Sequence, residues 1–163
     1  MRIRTYSYRH AECILNGNYR LKREMEQILA QLDLEPPSRC LKLDAQSPHR
    51  RIQRAFFRRR WQTEVLVSPV TCHRHYFDVY KDRVAVEIET SCRERLYRDY
   101  WRFLMAEADG RLDVGVIILL EASSDFMYPN AHRGGAPVLE DVMDDLKSLR
   151  TVVTVPIWVV ALS

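Results

Sequence analysis

The sequence predicts an α/β protein with a mixed central β-sheet flanked by helices. Two observations support this. A pair of short strands over residues 76–91 leads directly into a helical pattern, which is followed by the apolar run Val114 to Leu120. A continuous apolar run of this length is typical of a strand buried on both faces. The order strand, helix, strand also implies a crossover connection, which joins parallel strands within one sheet.

Length and composition fit a single domain over residues 1–163. Hydrophobic residues make up 47% of the chain and charged residues 29%, which is typical of a folded protein. The apolar runs are too short or too interrupted for a bilayer, so no membrane partner is expected. The first residues lack the apolar core of a signal peptide, which predicts a cytoplasmic location. The four cysteines are widely spaced with no C-x-x-C pair, which disfavours a zinc site.

Two helices are predicted near the N-terminus. Residues 8–16 read as a short helical turn that Asn16-Gly17-Asn18 ends. From Tyr19, apolar residues recur with the period of an amphipathic helix, and Pro36-Pro37 ends that element. The apolar positions of this helix are Leu21, Met25, Ile28, Leu29 and Leu32.

A third predicted helix covers the most basic stretch, His49 to Trp61. Ile52 and Phe56 fit a buried stripe, and the run contains no acid. Its open faces carry Arg50, Arg51, Arg54 and Arg58. Such a surface suits phosphate groups, although a solvated face that pairs with acids elsewhere explains the pattern equally well. A strand follows up to Val67 and is broken by Ser68-Pro69.

The crossover helix starts at Ser91-Cys92-Arg93-Glu94, a capping-box pattern, with Thr90 as the alternative cap. Its apolar stripe contains Leu96, Tyr100, Phe103 and Leu104. Another face carries Arg95, Arg98 and Arg102, which are candidates for contact with a phosphodiester backbone or ordinary surface arginines. Gly110 is a plausible C-cap that ends the helix.

The last third contains a long loop, a helix and a strand. The turn-rich loop over residues 121–135 includes His132 and Arg133 as candidates for substrate contact, a flexible connection being the alternative. An amphipathic helix over residues 138–149 follows, because its apolar residues recur with helical spacing. Residues 151–162 are predicted to be a strand in which Pro156 suits a sheet edge or a bulge.

Residues 76–91 also bring acids together. Two strands rich in β-branched and aromatic residues meet at a polar turn. Side chains alternate along a strand, so Glu87 and Glu89 share one face. If the hairpin closes around Asp82-Arg83, or a four-residue loop in the same register, Asp78 lies opposite Glu87, with Cβ atoms roughly 5 Å apart. A three-residue loop would break this geometry, and the sequence allows both.

Opposed like charges destabilise a sheet unless something neutralises them. Mg²⁺, a hard cation that takes oxygen ligands, would do so. Asp78, Glu87 and Glu89 are therefore candidate catalytic residues, and the upstream Glu64 is a candidate fourth carboxylate. The alternatives are an exposed hairpin whose outer face happens to be acidic and, for Glu64, a helix end or surface position.

The spacing Asp78, eight residues, Glu87-Ile88-Glu89 resembles the D…(E/D)-x-(K/Q/E) signature of the PD-(D/E)xK nucleases. The chain as a whole looks like the BglII branch of the type II restriction endonucleases, which is related to BamHI. The segment Tyr8-Arg9-His10-Ala11-Glu12-Cys13-Ile14-Leu15-Asn16 resembles the start of BglII, and the order of elements then agrees up to the last strand.

The resemblance implies a restriction-endonuclease-like α/β/α core, a homodimer and Mg²⁺-dependent cleavage of duplex DNA, with Mn²⁺ as a substitute metal. Asp78 and Glu87 would be metal ligands. Glu89 would hold the third motif position, which is lysine in most of the superfamily, glutamine in BglII and glutamate in BamHI. Glu64 would stand where BamHI has an additional acid. Because glutamate has no positive charge, Glu89 could only bind metal or accept a proton.

Two other functions are compatible with the same residues. One is a DNA-binding or interaction module that keeps the nuclease fold without turnover, which the missing lysine favours and the three acids disfavour. The other is a defence or repair nuclease that has no fixed target sequence or acts on RNA.

Overall fold

The structure, a computed structural model, describes residues 2–32, 34, 47–69, 74–90, 93–121 and 137–163. Within these residues, strands and helices alternate much as predicted. The strands are β1 (Ile3–Tyr8), β2 (Gln62–Leu66), β3 (Tyr76–Lys81), β4 (Val84–Glu89), β5 (Val114–Leu120) and β6 (Ile157–Leu162). The helices are α1 (Ala11–Gly17), α2 (Tyr19–Ala30), α3 (Pro48–Arg58), α4 (Arg93–Ala108) and α5 (Leu139–Ser148).

The strands form one mixed sheet in the order β1-β6-β5-β4-β3-β2. β4 pairs with β5 and β5 with β6 in parallel, whereas the outer pairs are antiparallel. The parallel strands are the apolar ones, and every residue of β6 is buried. The predicted α/β class and the predicted parallel pairing across the crossover are both confirmed.

Each face of the sheet is covered by helices, which gives two cores. On one face, Leu96 and Phe103 of α4 and Leu146 of α5 pack against β-strand residues such as Ala85 and Ile117. On the other face, residues of α1, α2 and α3 pack against the opposite side chains of the same strands. These opposite side chains include Val84, Val86 and Ile88. No helix in the described part of the chain is long and apolar enough to span a bilayer.

The N- and C-terminal strands differ from the prediction. The sequence reading assigned no strand before residue 8, yet β1 pairs along its whole length with β6, from Ile3 opposite Leu162 to Tyr8 opposite Ile157. β6 is therefore interior, and the prediction that Pro156 marks an edge or a bulge is wrong. Pro156 precedes the strand, where its missing N–H costs no ladder bond, and its carbonyl accepts from Gly115 N at 2.9 Å.

The β3–β4 hairpin closes with a two-residue turn. Lys81 pairs with Val84 and Tyr80 with Ala85, which excludes the three-residue loop. Asp82 and Arg83 have φ angles of 49° and 64°, the left-handed pair that a type I′ turn requires. This register sets the positions of the acids on β3 and β4.

Candidate active site

Three neighbouring strands carry acids at matching positions. Glu64 lies between the recorded pairs Thr63–Val79 and Val65–Phe77, so it is opposite Asp78 in the β2–β3 register. The β3–β4 pairing ends at Val79–Val86, so Asp78 and Glu87 are the first residues beyond the last pair on their two strands. The two-residue hairpin turn therefore brings these two acids to neighbouring positions on β3 and β4.

Strands β2 and β3 have an irregular backbone where they carry Glu64 and Asp78. Phe77 and Val79 are two residues apart on β3, so a regular strand would place both side chains on one face of the sheet. They belong instead to the cores on opposite faces, so the alternation of side chains breaks at Asp78. On β2, Glu64 has a φ of 55°, which is uncommon for a residue other than glycine. Backbone irregularities of this kind concentrate at functional sites.

The irregular backbone holds Asp78 in place. Ile88 N of β4 donates to Asp78 Oδ2 at 2.8 Å, and Gln53 Nε2 of α3 donates to the Asp78 carbonyl at 3.1 Å. The Asp78 side chain retains 23% of its exposure. Its carboxylate is therefore oriented by the protein and still open to solvent.

Asp78 and Glu87 hydrogen-bond to each other through their carboxyl groups. Burial and the nearby charges of Asp99 and Asp78 raise the pKa of Glu87 well above its usual range, despite the opposing charge of Arg102. Burial alone would also raise the pKa of Asp78, but hydrogen bonds from His49 and Ile88 outweigh it and lower that pKa. The surroundings therefore favour the charged form of Asp78 and disfavour the charged form of Glu87.

Helix α4 supplies two further groups. Arg102 Nη1 donates to Glu87 Oε1 and to Asp99 Oδ1, each at 3.1 Å. Burial raises the pKa of Asp99 to about 7, and the charges of Glu89 and Asp78 add to this effect while Arg102 opposes it. Asp99 was not predicted as part of the site. It could have been, because it lies three residues after Leu96 on the apolar stripe of α4, where an acid needs a partner.

Glu89 is only 4% exposed and faces the same side of the sheet as Glu87. Its charge acts on Asp99 of α4. Within the described ranges, no group of three or more histidine, cysteine or acidic side chains is arranged to hold a metal ion.

His49 was also missed. Its Nε2 lies 3.1 Å from Asp78 Oδ2, at the N-terminal end of α3. No sequence signal identifies it, because 29 residues separate the two side chains and only packing of α3 on the hairpin brings them together.

The predicted basic residues lie in different surroundings. Arg54 and Arg58 of α3 and Arg95 and Arg98 of α4 are exposed, whereas Arg51 is half-buried. Arg50 Nη1 lies 3.6 Å from Glu64 Oε1. Arg102, predicted with Arg95 and Arg98 on a face apart from the apolar stripe of α4, points into the acidic site and donates to Glu87 and Asp99. His132 and Arg133 lie outside the described residues.

The donor set fits a hard divalent cation. Mg²⁺ in enzymes commonly uses one or two carboxylates, with waters and substrate phosphate completing its shell. Asp78 and Glu87 offer carboxyl oxygens within hydrogen-bonding distance of each other, beside the exposed arginines of α3. Asp78 and Glu87 are thus the residues that could hold such an ion, which would bind their carboxyl groups in the ionised form.

Comparison with known proteins identifies both the fold and the family of this chain. The family described as restriction endonuclease BglII/BglIII matches residues 3–162. No curated protein sequence matches the chain. The crystal structure of BglII complexed with a DNA 16-mer matches with a TM-score of 0.75 at 22% identity, over 99% of this chain and 76% of that chain. Free BglII matches with a TM-score of 0.69 at 24% identity, over 100% and 80%. The structures share the fold, and the family match over nearly the whole sequence shows that this chain belongs to the restriction endonuclease BglII/BglIII family.

Proposed function

We propose that this protein is a Mg²⁺-dependent endonuclease that hydrolyses phosphodiester bonds of duplex DNA in restriction or defence. The observation that carries the proposal is the meeting of the Asp78 and Glu87 carboxyl groups between β3 and β4. By their spacing, these residues would hold the first two positions of the PD-(D/E)xK signature. When bound by them, Mg²⁺ or its substitute Mn²⁺ would polarise the scissile phosphate and lower the pKa of a bound water.

The protein residues divide the remaining tasks. Asp78, held by Ile88 N and by His49, presents an ionised carboxylate to solvent. Arg102 fixes the position of Glu87 from the opposite side. Glu89, at the third motif position, accepts the proton that the attacking water gives up. A lysine at this position would orient the water through its positive charge, which a glutamate lacks. Glu64 on β2 adds a further carboxylate, which is exposed to solvent.

Duplex affinity comes from the exposed arginines on α3 and α4. Arg54 and Arg58 lie on one helix, and Arg95 and Arg98 lie on the other. Contacts between such residues and phosphates release counterions, so binding should weaken steeply with salt. Such contacts position the duplex without reading its sequence.

The direct test is incubation with plasmid DNA, with and without Mg²⁺. We expect cleavage only with the metal, and discrete bands if the enzyme reads a fixed site. Asp78→Ala and Glu87→Ala should abolish cleavage while leaving DNA binding intact or stronger. Asp144→Ala, which removes an acid with a 74% exposed side chain on α5, is the matched control and should cut normally. Cleavage by Asp78→Ala at the wild-type rate would refute the assignment.

A non-catalytic DNA-binding module is the second candidate. It is favoured by the glutamate at position 89 and by Arg102, whose guanidinium group already contacts the Glu87 carboxyl group. This module would bind duplex DNA in the plasmid assay but leave it intact at every Mg²⁺ or Mn²⁺ concentration.

The homodimer implied by the family resemblance is also part of this proposal. Tyr97 and Trp101 of α4 are 47% and 60% exposed, which leaves aromatic surface for a second copy to cover. Sedimentation of the wild type and of Trp101→Lys would test this, because a dimer through this face should dissociate in the variant. The cytoplasmic location remains a prediction from the sequence.

A further inference from the structure

A second positively charged region lies at the far end of α3. The C-terminal turns of α3 and the outer face of α2 surround a cavity of about 540 Å³. We call it the arginine basin, after its lining residues Arg20, Arg23, Arg58, Arg59 and Arg60. His49, which contacts Asp78, is nine residues before Arg58, so the basin lies roughly 14 Å along the helix from the acidic site.

Most of the positive charge of the basin has no partner among the described residues. Glu24 is the one acid among its lining residues, and its carboxylate already accepts from Lys81 Nζ at 2.9 Å and Trp61 Nε1 at 3.0 Å. In the described part of the chain, four of the five guanidinium groups make no hydrogen bond or ion pair; they belong to Arg20, Arg23, Arg58 and Arg60. Clustered like charges raise the local potential and attract anions.

Arg60 occupies a position that favours glycine. Its φ is 63°, and the bonds Trp61 N to Phe56 O and Arg60 N to Phe57 O form the Schellman motif that ends α3. A left-handed residue other than glycine costs roughly 1–2 kcal/mol at this position. An arginine at this position therefore lowers the stability of the fold relative to glycine. In an anion-binding site, the same arginine supplies a positive charge at a fixed position.

We propose that the arginine basin binds the phosphates of duplex DNA flanking the cut, an inference that rests on the proposed function. Arg50, Arg54 and Arg58 recur every four residues along α3, so basic side chains connect the acidic site with the basin. The separation of about 14 Å equals the axial rise of about four base pairs. The basin should therefore contact DNA about four base pairs or more from the scissile bond.

Exposed aromatic side chains favour a nucleic acid over a small anion. Tyr19 and Phe57 are 61% and 63% exposed and are the chain neighbours of Arg20 and Arg58. Arginines interleaved with accessible rings suit a ligand that offers sugars beside its phosphates, as the backbone of a duplex does.

Binding without divalent metal tests the inference, because it needs no cleavage. Labelled duplexes of 8 and 24 base pairs are titrated with wild-type protein and with Arg20→Gln/Arg23→Gln, and polarisation is followed over a range of salt concentrations. For the long duplex, we expect the double variant to lose about 10-fold in affinity and to reduce the log–log salt slope by about 2, because each lost phosphate contact removes about 0.9. The short duplex should lose less than 3-fold.

Two further variants separate binding from folding and from net charge. Arg2→Gln/Arg150→Gln removes the same charge from exposed positions outside the basin and should bind the long duplex nearly as the wild type does. Arg60→Gly should weaken binding about 3-fold while the melting temperature stays constant or rises.

The outcomes also separate this inference from the nuclease proposal. If only the basin variants lose affinity for the long duplex, the result supports DNA binding by the arginine basin, even if plasmid DNA is never cut. Equal affinity of the basin and control double variants for the long duplex would overturn it even if cleavage is normal. Basin-dependent binding of inorganic tripolyphosphate, with DNA affinity unchanged in the basin variants, would also overturn it in favour of a small polyanion.

Discussion

Arg102 Nη1 lies 3.1 Å from Glu87 Oε1, and only 2% of the Glu87 side chain is exposed. The same nitrogen also donates to Asp99, so one guanidinium from α4 serves two buried carboxyl groups. Buried ion networks depend on each member, because removing one leaves an uncompensated charge or an unsatisfied polar group. This network links helix α4 to the candidate metal-binding strand.

The first prediction concerns removal of this cation. Arg102→Leu should lower the free energy of unfolding by about 3 kcal/mol at pH 8, because breaking a buried pair typically costs 3–5 kcal/mol. Urea denaturation measures the change. Arg98→Leu, on the exposed side of the same helix, should change the unfolding free energy by no more than about 0.5 kcal/mol. Equal effects of the two substitutions would contradict a structural role for the Arg102 network.

The second prediction is a dependence of stability on pH. The pKa of Asp99 is about 7 in the folded protein, chiefly because of burial, and about 3.9 in the unfolded chain. Between these values the folded state binds an extra proton, so the free energy of unfolding falls as pH rises from about 4 to 7. Each such proton contributes a slope of up to about 1.4 kcal/mol per pH unit.

Asp99→Asn is the matched variant, because it keeps the shape of the side chain and cannot ionise. Urea denaturation across this window should give a shallower slope for Asp99→Asn than for the wild type. The raised pKa of Glu87 acts in the same direction and should leave a residual slope. An unchanged slope in Asp99→Asn would show that Asp99 ionises normally in the folded protein.

Much of this fold could be predicted from local pattern. The apolar run of β5, the helical spacing of α2 and α4 and the turn at Asp82-Arg83 are signals that neighbouring residues carry by themselves. β1 lacked such a signal, because its side chains are partly exposed at a sheet edge and its pairing partner is β6, at the other end of the sequence.

In the candidate active site, too, local contacts could be predicted from the sequence and contacts between distant elements could not. Asp78 and Glu87 were paired by hairpin register, which a two-residue turn determines. His49 and Gln53 were missed because their contacts with Asp78 depend on how α3 docks on the sheet. Arg102 was predicted on the arginine face of α4, but its contacts with Glu87 and Asp99 were not, because helical spacing does not show which acids the neighbouring strand presents.

The third prediction tests His49. Its hydrogen bond is the main effect that opposes burial and lowers the pKa of Asp78. His49→Ala should therefore raise that pKa and shift the acidic limb of the pH–cleavage profile to higher pH. Activity at pH 8 should fall about 10-fold or less, since Ile88 N still orients the carboxylate. His49→Asn retains a donor and should shift the profile less. A uniform loss of rate at every pH would contradict this role.

The fourth prediction concerns packing between β5 and α4. A Cβ atom on Gly115 would lie 2.7 Å from the Phe103 ring, a side chain with no exposed surface. Gly115→Ala should therefore destabilise the protein by about 1–3 kcal/mol, as overpacked cores do. Gly17→Ala is the control, because nothing lies within 4 Å of the added atom. Thermal unfolding of the two variants should differ by several degrees, with Gly115→Ala the lower.

The fifth prediction separates strain from catalysis at Glu64. Its φ of 55° is costly for any residue with a Cβ, and its side chain is 66% exposed, so the fold does not need the carboxylate. Glu64→Gly should raise the free energy of unfolding by about 1 kcal/mol, and we expect plasmid cleavage to fall at least 10-fold. Asp82→Gly is the matched control, because Asp82 is an exposed acid with a φ of 49° in the hairpin turn. That variant should gain similar stability and cut normally. If both variants cut at the wild-type rate, Glu64 has no part in the reaction and its backbone conformation serves only the shape of β2.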